Sequence, residues 1–432
     1  MDLAGTTLVR WPGDAELITL SVTLLIGVAR FEEAHEVLAG LAASDDARRQ
    51  QGAYLRALVA RARYDLDAAL HHGEAALAFD RQNPKILQEL ALILLMRGNS
   101  SAGGACLADA RRVLERHGSA RVRASIGGGL RRALFLELRT NPFAEQALAL
   151  AWNAPAAERA AAMIAILAEE PAHLGTAMSL LITLRHSGVF DHPAPVDRAD
   201  ESPIPRCIVQ FWDSAEVPPD IADTLSSWPR ANPGFEYRLF NDGSAEAFIA
   251  RHCEPDVLKA FRMANLPAMR ADVFRLAFLL TQGGIYADAD DLCRHGIDAW
   301  LEPGVELMLL QEDLGSIGNN FMAVAPGHPF IKAVLETVTA NILGRQGSIW
   351  FASGPGAITL SFCAEYLPAL REQRLPAGLR VIDYCHMQQR ISLHLPRRYK
   401  QGDTHWSNPA NGRQPTYRVP LPIRAVPPDG SD

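Results

Sequence analysis

The sequence lacks paired cysteines, an excess of positive charge and a long apolar run, and each absence removes a class of protein. Its six cysteines are scattered, and none stands in a Cys-x-x-Cys arrangement. This pattern indicates reduced cysteines in apolar surroundings, not a disulfide framework or a zinc site. The formal net charge is −7, which argues against a nucleic-acid partner, because such binding neutralises phosphates with Lys and Arg.

The longest N-terminal apolar run, residues 17–29, does not predict a membrane-spanning segment. It follows Asp14 and Glu16, where a signal peptide carries positive charge. It is also shorter than the ~20 residues that span a bilayer, so we expect a buried helix. With 432 residues, 48% hydrophobic and 21% charged, the chain is typical of a globular protein with two domains.

The most informative stretch runs from Gly283 to Asp291 and contains two aspartates one residue apart. If the apolar residues before them form a strand, Asp288 and Asp290 point to the same face, because strand side chains alternate. Two neighbouring carboxylates suit Mg²⁺ or Mn²⁺, which prefer oxygen ligands. The pattern therefore predicts a metal site for a diphosphate.

The residues before this stretch predict a helix and a tight turn. Residues 270–280 have one apolar face, with Asp272 and Arg275 on another side. Glycines directly after a helix end it at little cost in backbone energy, because glycine adopts the left-handed conformation easily. The chain can then enter a strand at once. We expect helix, turn and strand to bring Asp272, Arg275 and Tyr286 close to the two aspartates.

At these residues the chain resembles the DXD-containing sugar transferases. That family includes the yeast initiating mannosyltransferases and, more distantly, the glucosyltransferase domains of the large clostridial toxins. The shared core, Arg-Ala-Asp-x-x-Arg and then Gly-Gly-x-Tyr-x-Asp-x-Asp, is complete from Arg270 to Asp290. Residues 204–212 resemble the family's opening Ile-Pro-Lys-x-Ile-His-Gln-x-Trp, although Val209 replaces the usual histidine. The resemblance covers roughly residues 201–410, about half of the chain.

The resemblance implies an α/β domain of the GT-A type that moves a hexose from a UDP- or GDP-sugar to a glycan or protein hydroxyl. It implies a Mn²⁺ or Mg²⁺ cofactor, retention of the anomeric configuration and a place in polysaccharide or glycoconjugate synthesis. Catalytic roles would fall to Asp288, Asp290 and Arg275. Asp288, Asp290 and His405 would hold the metal. The donor-binding residues that it implies are Gln210, Trp212, Arg270, Asp272, Arg275, Tyr286, Asp288, Asn320, Ser353 and Gly354.

Several of these residues also have plainer interpretations. Asp272 and Arg275, spaced i,i+3, could form a surface ion pair that contributes ~0.2–0.5 kcal/mol. Trp212 and Tyr286 could be core residues, and His405 could be an ordinary solvated histidine. Within the family motif we favour function for Asp272 and Arg275.

Two other functions compete with sugar transfer. Asp288-Ala289-Asp290 superficially matches the nucleophile motif of Asp-x-Asp phosphohydrolases, but that motif lies on a first strand, whereas here an α/β domain starts near residue 204. The second alternative is a protein-binding adaptor with an inactive transferase domain. The intact set of motif residues argues against it.

Residues 1–190 predict an all-α domain of tetratricopeptide-like repeats. They are rich in alanine and leucine, and two series recur at one fixed interval: Ala34, Ala68, Ala102 and Leu24, Leu58, Leu92. The interval, about 34 residues, is typical of tetratricopeptide repeats, whose concave surfaces bind other proteins. A protein partner is therefore possible for this region.

The proline-rich residues 191–203 predict a linker, because such a segment cannot propagate a helix. A GT-A domain would follow over residues 204–420, with a tail over 421–432. Yeast members of the resembled family begin with a membrane anchor. Since we find none here, we expect a cytoplasmic bacterial enzyme, with peripheral attachment at the inner membrane left open.

Overall fold

The structure is a computed structural model that describes residues 14–41, 45–117, 141–191, 201–345 and 349–401. The chain divides into two compact units. The first consists of the described residues of Met1–Pro195, Leu310–Ile317 and Cys363–Ser392. The second consists of those of Val196–Leu309, Gly318–Phe362 and Leu393–Asp432. The predicted division near residues 191–203 did not foresee the two later segments of the first unit.

The N-terminal part of the first unit is helical. Its described helices, α1 to α9, are Ala15–Gly27, Phe31–Ala39, Asp46–Ala62, Leu66–Phe79, Pro84–Met96, Ser100–His117, Pro142–Asn153, Ala156–Glu169 and Leu174–His186. Short polar side chains begin several of them: the Asp45, Asp65 and Asn83 side chains accept hydrogen bonds from N–H groups of the first turns of α3, α4 and α5. Within the described ranges, no helix is long and apolar enough to cross a bilayer.

Three successive helix pairs turn at a residue with positive φ. These residues are Ala29 (φ 56°), Tyr64 (φ 60°) and Gly98 (φ 70°). The intervals between them match the predicted period to within one residue. The period thus has a structural counterpart, while the assignment to the tetratricopeptide class remains a prediction.

The residues of the recurring leucine series are not equally buried, since Leu92 is buried and Leu24 is exposed. Leu24 is 56% exposed, whereas Leu25, Val59 and Ile93, which recur at the same interval, are buried. Leucine at residue 24 therefore contributes to the surface of α1 and not to its core.

The remaining elements alternate between strands and helices. Strands β1 to β8 are Cys207–Phe211, Glu236–Phe240, Gly284–Ala287, Leu292–Cys293, Leu307–Gln311, Ile317–Val324, Leu379–Asp383 and Ile391–Ser392. Helices α10 to α17 are Pro219–Ala231, Asp242–His252, Pro255–Met263, Pro267–Gln282, Pro329–Leu343, Ile349–Ala352, Pro355–Arg371 and Tyr384–Gln388. Short 3₁₀ turns cover Asp298–Trp300 and Arg398–Gln401.

Four neighbouring strands form the centre of the second unit, in the order β2-β1-β3-β6. β1 pairs in parallel with β2 and with β3, whereas β3 and β6 are antiparallel. Every residue of β1, β3 and β6 is buried, as expected of apolar strands with neighbours on both edges. The carboxyl end of β3 is therefore held rigidly where the two motif aspartates begin.

Candidate functional site

Two glycines connect α13 directly to β3. Gly283 has φ 65° and Gly284 has φ 103°, a region that favours glycine. A Cβ on Gly284 would lie 2.6 Å from the carbonyl oxygen of Cys207, and one on Gly283 would lie 2.7 Å from Pro326. Only glycine fits this close turn, which is why the helix can deliver the chain straight into the central strand.

The two motif aspartates lie in a turn, not on a strand. β3 ends at Ala287, and the N–H of Asp291 donates to the carbonyl of Asp288 over 3.1 Å. The expectation that strand alternation aligns Asp288 and Asp290 is therefore wrong. The turn brings them together instead, and the Asp288 N–H is fixed by the Asn320 carbonyl at 2.9 Å.

Both aspartates line a cavity of about 190 Å³ in the second unit. Three other predicted site residues, Trp212, Arg275 and Tyr286, line it too. The remaining lining residues are Phe211, Asp213, Pro267, Ala268, Ala271, Ala289 and Tyr399. The structure thus brings five of the predicted side chains to one hollow.

Arg275 links the carboxylates of the helix and the turn. Its Nη2 lies 3.1 Å from Asp272 Oδ1 and 3.1 Å from Asp288 Oδ1. Its guanidinium lies 4.4 Å from the centre of the Tyr286 ring, and the Tyr286 hydroxyl donates to Asp288 Oδ1 over 3.1 Å. Because Arg275 and Asp272 are both buried, they do not form the surface pair of the plainer interpretation.

Asp272 is held by two further donors. Asn319 Nδ2 donates to its Oδ1 over 2.8 Å, and Ser353 Oγ donates to its Oδ2 over 2.7 Å. Burial raises the pKa of Asp272 to about 6, although Arg275 opposes this shift. Ser353 therefore fixes Asp272, and its direct contact with a donor remains a prediction.

Two other predicted donor residues, Gln210 and Arg270, bond to groups of the protein instead of lining the cavity. Gln210 donates to the Asp288 carbonyl over 3.0 Å and accepts from the Tyr237 hydroxyl over 3.0 Å. Arg270 Nε donates to Asp242 Oδ1 over 2.7 Å. Neither side chain lines the cavity. Gln210 supports it through the Asp288 carbonyl, and direct contacts of both residues with a donor remain predictions.

Asn320 and Gly354, two further predicted donor residues, are not among the residues that line the cavity. Asn320 Nδ2 donates to Asp291 Oδ2 over 2.9 Å, and Gly354 directly precedes α16, close to Trp350. Their roles at a donor remain predictions. His405 lies outside the described residues, as does the predicted tail.

Sequence reasoning missed three residues beside the aspartate pair. Asp291 is fully buried and accepts the N–H of His394 over 2.7 Å. Burial, with the neighbouring charge of Asp290, raises the pKa of Asp291 to about 7. Lys400 pairs with Asp290, and Tyr399 packs edge-on against Trp212 at 5.2 Å. Tyr399 and Lys400 belong to no motif, so nothing in their spacing could have identified them.

The carboxylates of this turn suit a divalent cation. Burial raises the pKa of Asp288, and the charge of Asp290 raises it further, while Arg275 opposes the shift. Two carboxylates therefore lie close together where little water reaches them. Hard oxygen donors favour Mg²⁺ or Mn²⁺. In the described part of the chain, no group of three or more His, Cys, Asp or Glu side chains is arranged to hold a metal ion. Asp288 and Asp290 would therefore need further ligands, such as substrate phosphates or water, to bind Mg²⁺ or Mn²⁺.

The comparisons with known proteins match the part of the chain that contains this turn. Residues 218–306 match the family described as a glycosyltransferase sugar-binding region containing a DXD motif. Inositol phosphoceramide mannosyltransferase 2 of Schizosaccharomyces pombe is 31% identical over 158 residues, which cover 35% of this chain and 45% of the relative. The initiation-specific alpha-1,6-mannosyltransferase of Candida albicans is 30% identical over 109 residues, or 24% of this chain and 28% of the relative.

The likeness is limited to part of each protein. The chain spans less than half of the length of these two relatives. Among solved structures, a chain titled PaToxG Glycosyltransferase is 16% identical with a TM-score of 0.35, over 46% of this chain and 82% of that chain. A TM-score below 0.5 does not show a common fold.

The helices of the first unit and the mixed sheet of the second confirm the predicted class, an all-α region followed by an α/β domain. The GT-A type of that domain stays a prediction. The aspartate turn that lines the cavity lies inside the matched range. Residues 218–306 are therefore similar to the sugar-binding region of the glycosyltransferases that contain a DXD motif.

Proposed function

We propose that the protein is a metal-dependent glycosyltransferase that moves a hexose from a nucleotide-diphosphate sugar to a hydroxyl of a glycan or a protein. The observation that carries this proposal is the convergence of Arg275, Tyr286, Asp288 and Asp290 on one cavity within the matched region. The alternative of an Asp-x-Asp phosphohydrolase is disfavoured because β1 and β2 precede β3 in the chain, so the motif does not follow a first strand.

Asp288 and Asp290 would hold the Mn²⁺ or Mg²⁺ ion. When bound, a divalent cation stabilises the negative charge that develops on a departing diphosphate. Asp288 is pre-positioned for this role by Tyr286 and Arg275, which both contact its Oδ1 atom. Preorganisation matters because the carboxylate then loses little freedom when the ion binds.

Arg275 would supply a second, permanent positive charge beside the donor. It is almost fully buried and is fixed by Asp272 and Asp288, so little reorganisation is needed when charge develops nearby. In such a low-dielectric place a fixed cation acts more strongly than in water. Arg275 would orient the sugar and help to screen the leaving group.

The rings of Trp212 and Tyr399 pack edge-on against each other and line the same cavity. Such surfaces stack against nucleobases and sugar rings, so Trp212 is the proposed contact for the donor's base. Retention of the anomeric configuration is part of the proposal and is supported by the family resemblance alone. The role in glycoconjugate synthesis rests on the same ground, and the cytoplasmic location stays a prediction.

Mannose is the first sugar to test, because both relatives described above are named as mannosyltransferases. UDP- and GDP-hexoses, including the mannose derivative, should be screened for release of nucleoside diphosphate with Mn²⁺ and, in parallel, with EDTA. We expect one donor to be turned over with Mn²⁺ only. Turnover of no donor, across a range of glycan acceptors as well as water, would contradict the proposal.

A partner-binding role of the helical unit is a separate proposal, supported by the repeated helix pairs. Deleting residues 1–190 would be an unsuitable test, because residues 310–317 and 363–392 belong to the same compact unit. Point substitutions on exposed helix faces are therefore the appropriate variants.

A further inference from the structure

A second, larger cavity lies within the first unit. Its volume is about 520 Å³, inside the range of roughly 300–1,000 Å³ that is usual for small-molecule sites. All residues that line it belong to the first unit, and none was predicted to take part in sugar transfer. A ligand in this cavity would therefore bind independently of sugar transfer.

Small residues between cations create the hollow. Arg56, Ala60 and Arg63 lie at i, i+4 and i+7 along α3 and its end, so they share one face. On α4, Ala68 and His72 are likewise four residues apart and line the same cavity. The small alanine side chains leave a cavity, which the side chains of Arg56, Arg63 and His72 surround.

The floor of the cavity is fixed by internal hydrogen bonds. Arg185 Nε donates to Gln311 Oε1 over 2.9 Å, and its Nη2 donates to the Val381 carbonyl over 2.5 Å. The hydroxyl of buried Tyr64 donates to the Glu312 carbonyl over 2.9 Å. The hollow is thus preorganised, and a ligand would not have to order its base.

The carboxylates that line the cavity already have partners. Asp65 Oδ1 accepts the N–H of Ala68 over 3.0 Å as a helix cap. Asp383 accepts the His386 N–H over 3.0 Å and lies 2.5 Å from His386 Nδ1. Asp191 Oδ1 lies 3.4 Å from Arg185 Nη1. Asp383 and Asp191 therefore pair with cationic or ionisable groups of the protein itself, whereas the charge of Asp65 acts on His72.

Two arginines that line the cavity, Arg56 and Arg63, have few carboxylates near them to neutralise their charge. Among the residues that the structure describes, Arg56 has no hydrogen-bond or ion-pair partner, and Arg63 pairs only with the carboxylate of Glu32, at 3.5 Å. Burial lowers the pKa of His72, and the positive charges of His71 and Arg56 lower it further. Arg56 and Arg63 therefore carry positive charges that an anion in the cavity would offset.

We propose that this cavity binds a small anionic ligand of the phosphate-ester class. A phosphate group carries three acceptor oxygens and can therefore bond to donors that approach from different helices at once. Arginine forks match phosphate geometry well, and Arg56 and Arg63 offer two of them. His72 contributes a third donor from α4.

Isothermal titration of the full-length protein with glycerol 3-phosphate, in EDTA, tests the proposal. We expect saturable binding with one ligand per chain, weakened at least tenfold by Arg56→Gln. Arg49→Gln is the matched control, since Arg49 lies on the same helix, is exposed and pairs with Asp46. Absence of saturable binding, equal effects of the two variants, or equal affinity for succinate would overturn the proposal.

A second measurement locates the ligand. The imidazole Cε1–H resonance of His72, assigned with a His72→Asn variant, should shift during the same titration. Asp288→Asn should leave the affinity unchanged. Binding that is lost with Asp288→Asn but retained with Arg56→Gln would place the anion in the other cavity and contradict the proposal.

The phosphate could belong to a soluble ester or to a lipid headgroup. Co-sedimentation with phosphatidylcholine vesicles that contain phosphatidic acid distinguishes these sources. Vesicle binding that glycerol 3-phosphate displaces and Arg56→Gln reduces would identify a headgroup. If the protein binds glycerol 3-phosphate but not the vesicles, the source is a soluble ester. Vesicle binding that Arg56→Gln leaves unchanged would show that the cavity does not take the headgroup and would contradict the lipid assignment.

Discussion

The ammonium of Lys400 pairs with the carboxylate of Asp290, the second aspartate of the Asp-x-Asp motif. Lys400 belongs to a short 3₁₀ turn, Arg398–Gln401. The turn is also attached at its start, where the Arg398 N–H donates to Asp220 Oδ2 over 3.1 Å. The chain thus places its own cation where a divalent ion is proposed to bind.

Replacing Lys400 with methionine should strengthen the binding of Mn²⁺ in the absence of a donor, by roughly tenfold. The ammonium competes with the ion for Asp290, and a tenfold change corresponds to about 1.4 kcal/mol. Electron paramagnetic resonance of free Mn²⁺ measures the affinity. Lys332→Met is the control, because Lys332 is exposed and pairs with the exposed Glu336. Equal affinities for the two variants would show that Lys400 does not occupy the ion's place.

Replacing Arg275 with leucine should destabilise the fold by about 3–5 kcal/mol, because it leaves Asp272 and Asp288 without their buried counter-charge. Urea unfolding measures the loss. Arg238→Gln is the matched control: its partner Glu236 is exposed, and surface pairs contribute ~0–1 kcal/mol. A loss for Arg275→Leu no larger than for the control would contradict the role of Arg275 as a link between the helix and the turn.

The stability of the protein should depend on pH through Asp272. Its folded-state pKa, about 6, lies above the ordinary value of 3.8, so the folded state binds more protons between these values. Its contribution to stability is fully present below pH 3.8 and is lost as the pH rises through 6, a change of about 2–3 kcal/mol. Urea unfolding of wild type and Asp272→Asn at several pH values measures how much of the pH dependence of the free energy of unfolding comes from Asp272. Parallel pH profiles for the two proteins would rule out such a contribution.

Much of the site's framework could be predicted from local sequence. Residues 270–280 predicted α13, observed as Pro267–Gln282, and the apolar run at 207–212 predicted β1, observed as Cys207–Phe211. Helical periodicity and a glycine stop are local features, so they can be read without knowledge of the tertiary structure.

The features that the sequence did not predict are a strand end, a distant ion pair and the choice of the buried leucine. β3 ends at Ala287 because the Asp288–Asp291 hydrogen bond closes a turn, and an apolar run alone does not show where a strand stops. Lys400 reaches Asp290 from a part of the chain that is far away in sequence. Leu24 and Leu25 are both apolar, so only packing decides which of them is buried.

Gly284→Ala should destabilise the protein by more than about 2 kcal/mol. Its φ of 103°, and the Cys207 carbonyl that would lie 2.6 Å from an added Cβ, leave no room for a side chain. Gly104→Ala is the contrasting control: Gly104 lies in α6 with nothing within 4 Å of a Cβ, so alanine should stabilise by about 0.5–1 kcal/mol. Thermal unfolding compares them. Similar effects of both substitutions would mean that the helix–strand turn does not require glycine.

The most direct test of the central claim compares donor turnover in wild type, Asp288→Asn and Asp290→Asn across a Mn²⁺ titration. Asp298→Asn is the control, since Asp298 is exposed and pairs with Arg206 outside the cavity. We predict that both motif variants lose at least about a hundredfold in turnover at every Mn²⁺ concentration, while the control keeps wild-type activity. Unchanged turnover in Asp288→Asn and Asp290→Asn, or wild-type turnover that persists in EDTA, would contradict a metal-dependent sugar transferase.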